Sequence, residues 1–170
     1  DAQAALKRLD AVLEKDPDNN AVHLMLGMVY VSMSDFAKAE EQFRQQIELN
    51  PKNMVPYVQL AMARARQGDL KAAEQALKEG LEELPYNPRL TKTLAALYAQ
   101  QGDLESAADT FQIGLSYAPD NAAFALGHAS MLEKQGRIDE AIFTYERYME
   151  NNPDNGLVIN NLAALLADHR

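Results

Sequence analysis

Apolar residues recur along this chain at three- and four-residue intervals, in short runs that each stop at Pro, Gly or Ser. The first run, Ala5, Leu6, Leu9, Val12 and Leu13, has the spacing of one helix face. It predicts a helix from about Ala2 to Lys15, ending at Asp16-Pro17. Further runs of this kind follow in pairs, and a last one predicts a helix from Gly156 to about Asp168. Strand signals are missing throughout, so the chain reads as all-α. Its first and last helices stand without a partner of their own.

The stop signals are periodic. Pro17, Pro51, Pro85, Pro119 and Pro153 are each 34 residues apart, and an Asn follows two residues later every time: Asn19, Asn53, Asn87, Asn121 and Asn155. Proline cannot continue a helix, and Asn is a favoured N-cap because its side-chain oxygen accepts a backbone N–H left unpaired by the first turn. These marks divide residues 1–170 into one array. Residues 1–19 read as the second helix of an incomplete unit. Full units span 20–53, 54–87, 88–121 and 122–155, and 156–170 reads as the first helix of another. Inside the full units the helices part at Ser34-Asp35, Gly68-Asp69, Gly102-Asp103 and Gly136-Arg137, where Gly supplies the left-handed residue that ends a helix.

Superposing the units exposes fixed positions. The eighth is small (Gly27, Ala61, Ala95, Ala129), the twentieth is Ala (Ala39, Ala73, Ala107, Ala141), and the twenty-fourth is large (Phe43, Leu77, Phe111, Tyr145). This pattern resembles the tetratricopeptide repeat, with Leu-Gly early, Ala-x-x-x-Phe later and Pro near the end of 34 residues. The resemblance implies an α-solenoid, a right-handed superhelix of antiparallel helix pairs whose concave wall is lined by the first helix of each unit. The chain departs from the family pattern at the fourth position, where Trp gives way to His23, Tyr57, Thr91, Ala125 and Ile159, and at the eleventh, where Arg64 replaces Tyr. His128 stands where the other units have Leu and reads as a packed, hydrogen-bonded histidine rather than a ligand or base, because no second His or carboxylate shares its helix face.

Function in such an array comes from the face left over after packing. The family resemblance directs positions two, five, nine, twelve and thirteen of each unit into the groove. In the first two units these include Leu24, Met28 and Val31, then Val55, Val58, Met62 and Arg66. A concave patch of Leu, Val and adaptable Met suits an amphipathic helix or an extended apolar peptide. Equally, Met28 and Met62 suit packing against each other or a neighbouring helix. In the third unit Arg89 and Lys92, three residues apart on one face, are placed either to hold a carboxylate of the same ligand or to form a solvated face. The residues of the family's carboxylate-clamp members and of its asparagine-ladder members are not matched at the corresponding positions.

Composition narrows the alternatives. With 47% hydrophobic and 24% charged residues the chain has material for a folded core. Zero Cys excludes disulfides and thiolate chemistry. The net charge of −9 gathers late, since Asp103 to Arg170 holds 11 acidic and 4 basic residues. Such a surface repels phosphate backbones, so nucleic acid is not an expected partner. No apolar run is long enough to insert into a membrane. The histidines His23, His128 and His169 are scattered and no phosphate loop is present, so neither catalysis nor a cofactor or metal site is expected.

The chain opens at Asp1, without Met and inside a unit, which points to a fragment of a longer protein, and the resemblance of its tail implies a bacterial one. Residues Asn152 to Arg170 are similar to segments of bacterial repeat proteins associated with exopolysaccharide and protein export, so both the bacterial periplasm or envelope and the cytoplasm stay open. The expected function is a scaffold binding a protein or peptide. Alternatives are a regulatory or targeting region of a larger enzyme, and a self-assembling array in which two chains pair through uncapped ends.

Overall fold

The computed structural model describes residues 2–169. Asp1 and Arg170, the outermost positions of the two half-units, lie outside the described residues. Among those described there are ten α-helices and no strand: α1 (Ala2–Leu13), α2 (Asn20–Ser32), α3 (Phe36–Leu49), α4 (Met54–Arg66), α5 (Leu70–Glu83), α6 (Pro88–Gln100), α7 (Leu104–Tyr117), α8 (Ala122–Lys134), α9 (Ile138–Asn151) and α10 (Gly156–His169).

Local chemistry sets these boundaries. The Oδ1 atoms of Asn19, Asn53, Asn121 and Asn155 accept from the backbone N–H of Val22, Val55, Ala123 and Val158 at 3.0 to 3.2 Å. Asn87 accepts from both Arg89 and Leu90. Asp35, Asp69 and Asp103 cap α3, α5 and α7 in the same way. Arg137 offers α9 no such bond, and there Asp139 and Glu140 in the first turn favour the positive helix end instead. First helices end in a left-handed residue, with φ of 83°, 82° and 75° at Gly68, Gly102 and Gly136. Ser34 takes the same place at φ 61° without the freedom of glycine.

Contacts divide the chain into two units, Asp1–Pro85 and Tyr86–Arg170. In the first, α2 packs on α3, α3 on α4 and α4 on α5, while α2 also touches α4. Its core holds Leu26, Phe43, Tyr57, Leu60 and Leu77. The residues that replace the family's Trp have found a shared task here. His23 Nε2 lies 2.8 Å from the Pro17 carbonyl, and the Tyr57 hydroxyl donates to the Pro51 carbonyl at 3.1 Å. Each ties its own helix to the proline that precedes it.

In the second unit α7 packs on α6 and on α8, α8 on α9, and α9 on α10, with α6 touching α8. Helices α7 and α8 interlock through two reciprocal pairs. A Cβ on Gly127 would stand 2.5 Å from the Phe111 ring, and one on Gly114 would stand 2.9 Å from the Phe124 ring. At the start of this unit Tyr86 adopts φ 63° and its ring stacks on Tyr117, with centroids 3.3 Å apart.

Two substitutions probe these constraints in opposite directions. Replacing Ser34 with Gly relieves a left-handed β-carbon and should raise stability by about 1 kcal/mol in urea unfolding. Replacing Gly27 with Ala drives a methyl into the Phe43 ring and should lower it by about 1–3 kcal/mol.

Candidate protein-binding surface

Helix α2, with sequence NAVHLMLGMVYVS, is apolar on nearly every side. It buries Val22, His23, Leu26 and Gly27, and is left with Ala21, Met25, Met28 and Ser32 on its exposed side. Met25 is 53% exposed and Met28 51%. On α4 the corresponding stripe is Val55, Gln59, Met62 and Arg66, half-buried at its start and open at its end, with Met62 45% exposed. Helix α2 touches α4, and three thioether side chains of these two helices stand in solvent.

This stripe follows positions two, six, nine and thirteen of each repeat. At 100° per residue these positions fall within roughly 60° of arc, and positions five and twelve lie roughly 70–90° to one side. The offset explains where the structure departs from expectation. Val58, expected on the groove wall, is 4% exposed and belongs to the core, so it offers no surface to a ligand. Leu24 and Val31 are half-buried and form the flank of the stripe. Met25, at position six, is the exposed residue that the family's groove positions leave out. Its signal in the sequence is its spacing of three from Met28. Arg64 lies half-buried, pairs with Glu40 and stands 3.8 Å from Asp69, so it holds α3, α4 and the turn together.

Arg89 and Lys92 belong to the second unit, on α6, where both are exposed and neither makes an ion pair among the described residues. Farther along the same first-helix face, Ser130 is half-buried, and Glu133 and Lys134 are exposed.

A different feature of the second unit has no counterpart in the sequence reading. Helices α7 and α9 both pack on α8 and leave between them a cavity of about 480 Å³. His128 reaches it from α8, Gln112 and Ser116 from α7, and Glu140, Phe143, Thr144, Arg147 and Glu150 from α9. His128 Nδ1 is 3.1 Å from the Thr144 hydroxyl, which itself donates to the Glu140 carbonyl at 2.9 Å. His128 is thus the half-buried, hydrogen-bonded residue expected. The carboxylate missing from its own helix face is brought to the cavity by α9. Burial first, and then the Arg137 charge, push the His128 pKa down, against the opposing pull of Asp109 and Glu140. The bidentate bonds from Arg137, at 2.7 and 2.6 Å, hold the Glu140 carboxyl below its ordinary value.

Among the described residues, no group of three His, Asp or Glu side chains is placed to hold a metal ion, and no helix is long and apolar enough to cross a membrane.

Comparison with known proteins gives consistent matches. The family model described as the cytochrome c-type biogenesis protein H TPR domain matches residues 8–125, and a tetratricopeptide-repeat model matches residues 123–155. Most of the segment likened to export-system proteins, Asn152 to Arg170, falls outside both. No curated protein matches the chain. Among solved structures, the chain is similar to the crystal structure of MamA at 22% identity, over 90% of each chain, with a TM-score of 0.64. It is similar to TTC0263, a thermophilic TPR protein of Thermus thermophilus, at 21% identity, over 98% of this chain and 91% of that one, with a TM-score of 0.59. YrrB, described as a TPR protein with an unusual peptide-binding site, is similar at 14% identity, over 94% of this chain and 82% of that one, with a TM-score of 0.58. At these identities the likeness is one of fold.

Burial separates the candidate residues into two classes that mutation can distinguish. A Val58→Asp variant buries an unpaired carboxylate and should lose about 3 kcal/mol or more of stability, whereas Met62→Glu should leave thermal unfolding almost unchanged. His128 supplies a pH test. Its lowered pKa means that folding favours the neutral ring, so its stabilisation is complete above the unfolded value near 6.5 and declines as pH falls below that. A melting profile between pH 7.5 and 5 should slope less in His128→Leu than in the native chain.

Proposed function

The chain belongs to the tetratricopeptide-repeat family, matching its cytochrome c-type biogenesis protein H domain model, and we propose that it is a non-catalytic scaffold that binds the apolar face of a partner helix or peptide. The observation that carries this reading is the exposed stripe of Met25, Met28 and Met62 on α2 and α4. Unbranched thioether chains repack around apolar guests of different shape, which suits them to a binding wall. The description of YrrB as a peptide-binding member of the same repeat class is in keeping with it.

Magnitudes define the role of the stripe. Completing the burial of three half-exposed methionines contributes about 1 kcal/mol each, or about 3 kcal/mol together. A micromolar complex needs about 8 kcal/mol. The methionines therefore select an apolar guest and set its place, and flanking contacts at Leu24, Val31, Val55 and Arg66 complete the affinity. Arg89 and Lys92, on α6 of the second unit, are proposed separately as a place for carboxylates of a protein ligand.

A second reading is self-association. On α10 Leu157 is 59% exposed and Ile159 also stands in solvent, a face that a second copy of the chain would cover.

Calorimetric titration with a synthetic amphipathic helix of Leu and Phe on one face, against a scrambled peptide of equal composition, tests the first reading. The double variant Met28→Glu, Met62→Glu should bind at least about tenfold more weakly while its circular dichroism stays native. Undiminished binding overturns the stripe as the site. Light scattering at high concentration tests the second reading, and a monomer there removes it.

A further inference from the structure

Because the chain repeats, it contains its own control for what the fold requires. Three departures from the period meet in the cavity of the second unit. His128 holds the place occupied by the buried Leu26, Leu60 and Leu94 in the other units. Phe143 stands where the others have Glu41, Gln75 and Asp109, and it is the most exposed large apolar side chain among those described, at 61%. Tyr148 replaces Gln46, Gly80 and Gly114. Tyr148 is itself part of the core of this unit, but packing does not account for the exposed Phe143 ring, and the other units close with Leu where His128 stands.

The cavity also carries carboxylates. Glu150 lines it without an ion pair among the described residues, Glu140 lines it paired with Arg137, and Asp109 is close enough to act on His128. Arg147 is the cation in the lining, exposed and without an ion pair among the described residues, three residues from Glu150 on one helical face. The Thr144 hydroxyl commits its proton to the Glu140 carbonyl, so the ring nitrogen facing it, His128 Nδ1, must donate. Neutral His128 then keeps a lone pair on Nε2, for which no hydrogen bond is found among the described residues, and the residue lines the cavity.

We propose that this cavity is a second recognition site, receiving an arginine or lysine side chain of a protein partner. The guest's aliphatic stem lies on the Phe143 ring and its cationic head meets Glu150, the Glu140 side and the His128 lone pair. Arg147 competes with the guest for Glu150. Acid opposes binding, because protonated His128 turns its acceptor into a donor and adds a positive charge. The charges acting on that ring are Arg137 from the preceding turn, Asp109 from α7 and Glu140 from α9, and Arg147 and Glu150 of α9 line the same cavity.

The test is an NMR titration of the whole chain with N-acetyl-arginine amide, and with the leucine and glutamate amides as controls. The expected result is a saturable shift of the His128 and Phe143 ring signals with the arginine compound alone, weaker at high salt and at pH 5. Phe143→Ser and Glu150→Gln, both at exposed positions, should each weaken it by about threefold or more, and Arg147→Gln should strengthen it. The proposal is overturned if the arginine compound gives no saturable shift, if leucine responds equally, or if glutamate binds and Arg147→Gln abolishes that binding.

Discussion

Everything in this fold depends on how closely two helices approach at their crossing. The eighth and twentieth positions of the units are Gly27 with Ala39, Ala61 with Ala73, Ala95 with Ala107, and Ala129 with Ala141, and all eight are buried. Small side chains bring the backbones together, and the large residues beside them, Phe43, Leu77, Phe111 and Tyr145, fill the flanking space. Where the approach is tightest, Gly27, Gly114 and Gly127 lie against phenylalanine rings with no room for even a methyl group. The pairing is steric first, and the hydrophobic gain follows because the fit excludes water.

A packing rule that uses so few positions leaves many others unconstrained, and the exposed residues of both candidate surfaces, Met25, Met28, Met62 and Phe143, are among those others. In the first unit the free positions are filled with methionine where a solvated helix would carry charge. In the second they hold a histidine, a phenylalanine and a tyrosine around a void. Tyr148 and His128 pack within their unit, but Met25, Met28, Met62 and Phe143 leave apolar surface in water, which is what a partner would cover.

Most of the architecture was legible because its determinants are local. An Asn cap reaches two or three residues, a left-handed Gly acts on its own turn, and a 34-residue period superposes them without any knowledge of contacts. The site was less legible. The family's groove positions placed Val58 on the wall, but helix geometry puts that position to one side of the exposed arc, where the neighbouring packing buries it. Met25 was passed over for the same angular reason. The cavity around His128 was out of reach, since it is bounded by three helices and exists only after α7 and α9 have both settled on α8. Its one sequence trace, a His in place of Leu, reads as packing until Phe143 and Glu140 are seen to arrive from another helix.

The proline and asparagine joints have a consequence for how such a chain changes over time. Each joint is completed within a few residues: an amide cap follows the proline every time, and at the first two joints the side chain at the fourth position of the next helix, His23 or Tyr57, also bonds the proline carbonyl. No bond in that set refers to a distant part of the chain. Duplication or loss of a whole 34-residue segment therefore preserves every joint that remains, while a gain or loss of any other length breaks one. The array is built to vary in whole steps, and a duplicated copy is free to acquire departures such as Phe143 while its neighbours keep the pattern.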